Sequence, residues 1–395
     1  MIKKILVSGI KPTGRLHFGN YFGAMKQNID LANSGEYESY IFLADYHALT
    51  TVRNGDELRA QTIEAAASYI ACGLDVSKAT LFKQSDVRDV TELTWIFNNL
   101  VTMPYMMRAH AFKDKQIKEL FESLKAHPSY EKMSRFILDY KDKVSVPLGE
   151  IIFKDNEGIS KYEKEYGLTA DLVESCINNI ININNFSQTI NLGLLDYPVL
   201  MAADILIYGA DVVPVGPDQK QHVEYARDIA GFYNRAYNIE EFSLPKEYIV
   251  ESVGNVPGVD GEKMSKSYNN HIELFCSDED LKKRVMSIVT DSATPEEKKN
   301  PDENNIYNIH KLFLNAEEIA QLRAKFENGG YGYKQAKDEL LATIMKWREG
   351  KKEVYDELIA NPEKLQNILR EGGKVAQAKA SKKMEEVRKV VGLAF

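Results

Sequence analysis

The chain has 395 residues, 44% hydrophobic and 27% charged, with a formal net charge of -8, which is enough to bury a large core and build two domains rather than one. The acidic total excludes non-specific coating of nucleic acid but leaves room for a local basic surface that meets one folded RNA. Cys72, Cys176 and Cys276 lie far apart, which excludes a disulfide framework and a paired zinc or iron-sulfur spacing, and no apolar run reaches membrane-spanning length, so a cytoplasmic protein with no membrane segment is expected.

Residues 4 to 8 predict a buried strand, and Ser8 to Gly14 a turn that opens a helix near His17. A second strand, Tyr40 to Ala44, ends in Asp45, Tyr46 and His47, and a helix follows with Asp56 as its N-cap and Gly73 as its stop. With a third strand at Thr80 to Phe82, the βαβαβ order predicts an α/β fold, a Rossmann-like doubly wound parallel sheet. From residue 116 to 192 the chain turns rich in Lys, Glu, Tyr, Ile and Asn, which predicts an inserted, mainly helical subdomain. Met133, Phe136, Ile137 and Tyr140 share one helical face, Ile151 to Phe153 reads as a short strand, and Thr169 as the cap of a helix carrying Leu172, Val173, Cys176 and Ile180. Residues 1–115 and 193–270 then form the core, and 271–395 a C-terminal helical domain. In that domain Asn315 with Glu318 makes a cap signature, and Lys334 to Ile359 predicts one long amphipathic helix. Its last segment is basic, through Arg370, Lys374, Lys379, Lys382, Lys383, Arg388 and Lys389. Such a run is a solvated helix face or an RNA-facing one.

Three stretches carry chemistry. Leu200 to Ile207 is apolar almost all round, yet Asp204 stands within it and needs a donor. A salt bridge or cap inside the core meets that need, and so does a ligand. The helix leads into a strand, Asp211 to Val215, whose exit at Gly216, Pro217, Asp218 and Gln219 is the kind of strand end where open α/β sheets bind ligands. Pro12 to Asn20 sets glycines where backbone approaches a ligand and places His17 and Asn20 to donate to phosphate, although a tight turn with a capping histidine fits the same residues. Lys263-Met264-Ser265-Lys266-Ser267 puts two ammonium groups three residues apart on a glycine-flanked loop, free to close on a polyphosphate.

These residues resemble the signatures of class I aminoacyl-tRNA synthetases, specifically the bacterial-type tryptophanyl-tRNA synthetases. His17 to Asn20 is similar to the HIGH element and Lys263 to Ser267 spells the KMSKS element. Met201 to Leu206 with Val213 to His222 resembles the family's tryptophan-specific helix and turn. The likeness implies ATP-dependent activation of L-tryptophan and its transfer to tRNA(Trp), with Mg2+ accompanying ATP and a homodimer as the assembly. It implies that Lys11, Pro12, Thr13, Gly19, Asn20, Gly216, Pro217, Asp218, Val256, Lys263, Met264, Ser265, Lys266 and Ser267 hold ATP. By the same likeness Lys115, Lys263, Lys266 and His17 act at the phosphates, while Asp204, His47, Tyr197, Met201 and Gln219 line the tryptophan pocket. Lys11 stands where compact bacterial members often carry glutamine, and Val7 where many carry an aromatic. The tyrosyl enzyme, a nucleotidyltransferase and a catalytically silent relative that binds RNA or an amino acid are the alternative readings.

Overall fold

The structure, a computed structural model, describes residues 3–108, 121, 124–125, 127–140, 166–167, 169, 172, 191–216, 220–248 and 256–394, with side chains left out at 136–140. It divides into two compact units, Met1–Phe97 with Leu200–Phe395, and Asn98–Val199.

The first unit is built on a parallel sheet of five strands in the order β3-β2-β1-β4-β5: β1 Lys4–Ile10, β2 Tyr37–Leu43, β3 Ala79–Lys83, β4 Val212–Pro214 and β5 Lys246–Tyr248. Strands buried on both faces read as apolar runs, and Leu6-Val7 and Tyr40 to Leu43 are buried without alternation. β1 pairs with β2 from Lys4↔Tyr37 to Ile10↔Leu43, and meets β4 at Leu6↔Val212. The chain therefore builds β1 to β3 outward on one side and resumes at β4 on the other. Ligands bind at such a reversal, beyond the strands' C-terminal ends.

Helices connect and cover the strands. α1 opens at Phe18–Asn20, passes through a π-helical turn at Tyr21–Met25 and continues as Lys26–Asn33. α2 is Gly55–Ala71, and its cap is Asn54, whose side chain accepts from the N–H groups of Asp56 and Glu57. The expected cap, Asp56, is thus already inside the first turn, where its charge suits the helix dipole. α3 is Asp89–Asn98, α4 Leu192–Leu206 and α5 Lys220–Tyr237. Beyond the sheet come α6 Asp278–Met286, α7 Ala316–Asn328, α8 Tyr333–Arg348, α9 Lys351–Ala360 and α10 Pro362–Val391. Asn315 and Glu318 form the expected capping box of α7. The single helix expected over Lys334 to Ile359 is instead α8 and α9, because Gly350 adopts φ +73° between them and no continuous helix passes through a left-handed residue.

The helices after residue 271 share a unit with the sheet. α9 packs on α2, and α10 lies along β3, covering an edge that would otherwise present unpaired backbone. α10 buries Leu365, Leu369, Gly373, Ala376, Ala380, Met384 and Val387 on one face. Gly372 makes this approach possible, since a Cβ there would lie 2.0 Å from the Leu81 carbonyl oxygen. The basic residues of α10 complete the clamp. Arg388 pairs with Asp89 at 2.8 Å and with Glu92, and Lys383 pairs with Glu241 at 2.6 Å. Gln377 and Ser381 also donate to Asp89, at 2.6 and 2.7 Å. Much of the basic tail is therefore engaged with the chain's own acids.

In the second unit, bounded by Asn98 and Val199 where the expected insertion ran from 116 to 192, Tyr130–Tyr140 is helical and Met133 is buried. Asn98 donates to Asp196 at 3.0 Å. The expected strand at Ile151 to Phe153, and Val173, Cys176 and Ile180 of the expected helix, lie outside the described residues.

Gly372→Ala tests the helix-on-edge packing. Forcing a methyl group onto backbone costs about 1–3 kcal/mol, more than the roughly 1 kcal/mol that alanine gains in helix propensity. Urea unfolding should show a net loss of stability, and Gly350→Ala should lose stability for a different reason, since the space there is open but its positive φ strains any side chain.

Candidate active site

The loop leaving β1 forms one wall. The half-buried Lys11 ammonium donates to the Thr50 hydroxyl at 2.8 Å, and burial lowers its pKa from the usual lysine value. Pro12 is buried, and the Thr13 carbonyl accepts from the Lys266 ammonium. His17 opens α1 in an extended conformation, and the Asn20 side-chain oxygen accepts its backbone N–H at 3.2 Å. Asn20 is thereby a helix-capping residue as well as a polar group at the site. Burial, then the positive charge of Lys266 and the neighbouring His271, hold the His17 imidazole down to about 3, so it is neutral at pH 7. Its Nδ1 is buried without a hydrogen-bond partner among the described residues. A neutral imidazole nitrogen in this setting can take a hydrogen bond from a polar ligand.

The KMSKS element closes on this wall. Met264 is buried, and its sulfur lies 3.1 Å from the Gly19 amide, where a Cβ would meet the His17 ring at 2.8 Å. Only glycine leaves space for both. Met264 donates its N–H to the Val256 carbonyl at 2.8 Å, and Ser265 caps a single turn at Lys266–Tyr268 through the Ser267 N–H. Buried Asn270 accepts from the Ser265 N–H at 2.7 Å and donates to Asp260 and to the Lys263 carbonyl. Beyond it, Phe18 donates to Ile272 and Leu274 to Leu16, each at 3.0 Å, so the two elements are joined by backbone. Lys266 is half-buried, and desolvation lowers its pKa, while Lys263 is exposed. An ammonium already partly stripped of water meets a phosphate at a smaller desolvation cost than an exposed one does.

A second cluster lies at the ends of β2 and β3. Asp204, on α4, is 1% exposed. Its Oδ2 lies 2.9 Å from His47 Nε2, and the Gln84 amide donates to Oδ1 and Oδ2 at 2.9 and 2.7 Å. Burial raises the Asp204 pKa, and the bonds from His47 and Gln84 oppose that rise. The donor that the sequence demanded is thus double. Gln84 carried no signal of its own, since it reads as an ordinary polar residue after β3, and only the convergence of strand ends points to it. Met201 is half-buried one turn before Asp204 on the same helix. Tyr197 is also on α4 but belongs to the other unit. Gly216 follows β4, while Lys115, Pro217, Asp218 and Gln219 lie outside the described residues. Among those described, no group of three or more His, Cys, Asp or Glu is placed to hold a metal ion.

The chain matches the family described as tRNA synthetases class I (W and Y) over residues 3–134 and 173–349. A tryptophan–tRNA ligase of Fusobacterium nucleatum subsp. nucleatum is 41% identical over 98% of this chain and 97% of its own length. The tryptophan–tRNA ligase of Rhodopirellula baltica is 37% identical over 98% and 99%. Among solved structures, tryptophanyl-tRNA synthetase from Campylobacter jejuni complexed with ADP and tryptophan is similar at a TM-score of 0.74 and 35% identity, covering 98% of this chain and 99% of that one. The profile alone admits tryptophan and tyrosine enzymes, and near full-length identity to the former selects between them: the chain belongs to the tryptophan–tRNA ligases of class I.

Proposed function

We propose that the chain activates L-tryptophan with ATP at the C-terminal edge of its sheet and then charges tRNA(Trp). A carboxylate oxygen of tryptophan attacks the α-phosphorus and the bond to the β-phosphate oxygen breaks, giving tryptophanyl-adenylate and pyrophosphate. A ribose hydroxyl of the tRNA end then attacks the aminoacyl carbonyl, and AMP leaves. No covalent enzyme intermediate is needed, since positioning and charge neutralisation carry phosphoryl chemistry of this type. The observation that best supports the reading is the polar cluster around buried Asp204 in the same unit as the joined HIGH and KMSKS elements.

In this reading Asp204 accepts the indole N–H, because that group is a donor only and a carboxylate is an acceptor only. His47, Met201, Tyr197 and Gln219 supply the rest of the tryptophan pocket. Lys11 to Thr13, Gly19, Asn20, Gly216 to Asp218, Val256 and Lys263 to Ser267 hold ATP, with Lys115 and neutral His17 at the phosphates. Magnesium rides on the phosphates, as a hard cation with few protein ligands does. The helices of 271–395 read the tRNA, residues 116–192 form an accessory subdomain, and the protein works as a cytoplasmic homodimer. Amino-acid-dependent exchange of pyrophosphate into ATP tests the substrate, and stimulation by tyrosine instead of tryptophan would overturn it.

Lys266→Ala should lower adenylate formation by about 10²–10³-fold while leaving tryptophan affinity nearly unchanged, since the charge that it meets develops as pyrophosphate leaves. Rapid-quench measurement of the first turnover checks this, and an unchanged rate removes Lys266 from the chemistry. Asp204→Ala should raise the KM for tryptophan by about 10²-fold or more, narrow the preference over phenylalanine and leave the KM for ATP nearly unchanged. Wild-type efficiency in that variant would make Asp204 a structural acid.

A further inference from the structure

The role of Gln84 follows from how its amide is divided. Its side chain is 1% exposed at the C-terminal end of β3. The nitrogen donates to Asp204 Oδ1 and Oδ2 at 2.9 and 2.7 Å, while the oxygen accepts the backbone N–H of Tyr46 at 3.1 Å and of His47 at 3.4 Å. The orientation is unambiguous, because a flipped amide would set its oxygen against a carboxylate and its NH2 against two N–H donors. One side chain therefore fixes the rotation of Asp204 and the turn that presents His47. The turn is held independently: the Ser85 N–H donates to Asp45 at 2.9 Å, and its hydroxyl donates to the same carboxylate. Gly373 of α10 packs against Asp86 just beyond.

A carboxylate offers about four lone-pair sites. At Asp204, Oδ2 receives both Gln84 and His47, and Oδ1 receives Gln84. Among the described residues this leaves one acceptor position, on Oδ1, and its direction is set by the amide that holds the carboxylate. We propose that Gln84 is the positioning residue for tryptophan selection: it does not touch the substrate, but orients the Asp204 carboxylate so that one acceptor site faces the indole N–H. This rests on the reading that Asp204 receives that group.

The test is the steady-state exchange kinetics of Gln84→Met and Gln84→Glu, with Asp204→Ala measured alongside. Gln84→Met keeps the volume and loses the donor. Its kcat/KM for tryptophan should fall about 10- to 100-fold, chiefly through KM, with the KM for ATP unchanged. A pH profile separates orientation from mere packing. The groups facing Asp204 are His47 and Asp45 after β2, Gln84 after β3 and Tyr208 after α4. Because donation from Gln84 favours the ionised carboxylate, its removal should move the acid limb of kcat/KM for tryptophan to higher pH. Gln84→Glu keeps the shape but sets a second carboxyl group against Asp204, where the two share one proton, so its kcat/KM for tryptophan should become steeply pH-dependent and fall as that proton is lost, and it decides the matter if the methionine variant fails to fold. Wild-type kinetics and an unmoved acid limb in either folded variant, with Asp204→Ala impaired, would overturn the role of Gln84 alone. Wild-type tryptophan kinetics in Asp204→Ala, which keeps no acceptor, would overturn the reading of Asp204 and the role of Gln84 with it.

Discussion

The structure depends on one constraint: a carboxylate in an apolar helix must find donors within the fold. Isolated in that environment, Asp204 would take up a proton, and its pKa is indeed raised by burial. His47 and Gln84 oppose the rise from two neighbouring strand ends. Helix α4 can hold an acid here only because a parallel sheet brings the turns after β2 and β3 to the same edge, on the first side of the chain reversal. The Asp204 cluster and the sheet topology are thus one arrangement.

The wall built from the HIGH and KMSKS elements has a different logic. The HIGH element and the segment after the KMSKS element exchange backbone hydrogen bonds through Leu16, Phe18, Ile272 and Leu274, while Met264 fills the space that Gly19 leaves open. Phe18 anchors the junction in an aromatic cluster with Phe22, Phe313 and Trp347. Two of those rings come from the C-terminal region, so the helices beyond the sheet also shape the loop that carries the lysines. α10 does the same on the other side, holding β3 and the acids at the start of α3.

The strands were legible because a buried parallel strand leaves an apolar run bounded by turn residues, and Lys4–Ile10, Tyr37–Leu43 and Ala79–Lys83 follow that pattern to within a few residues. Caps and breaks were less so. Asn54 and Asp56 are equally good capping types, and only geometry chose Asn54. Gly350 sat inside an amphipathic pattern that continued on both sides, so its positive φ could not be read from periodicity. The charges of α10 were visible, but not the acids that meet them, since Asp89, Glu92 and Glu241 are remote in sequence. Gln84 escaped for the same reason: its significance is a contact with a residue 120 positions away. The motifs stood out because they are local, whereas the partners that position them are distant.

The central claim is that a buried acceptor reads the donor of the indole ring. Replacing tryptophan by L-3-(benzothiophen-3-yl)alanine, in which sulfur stands where the N–H was, removes the donor with little change of shape. In pyrophosphate exchange with the unmodified protein, the account predicts that kcat/KM for this analogue lies at least about 100-fold below that for tryptophan, with no change in the KM for ATP. Activation of the analogue as efficiently as tryptophan would contradict it.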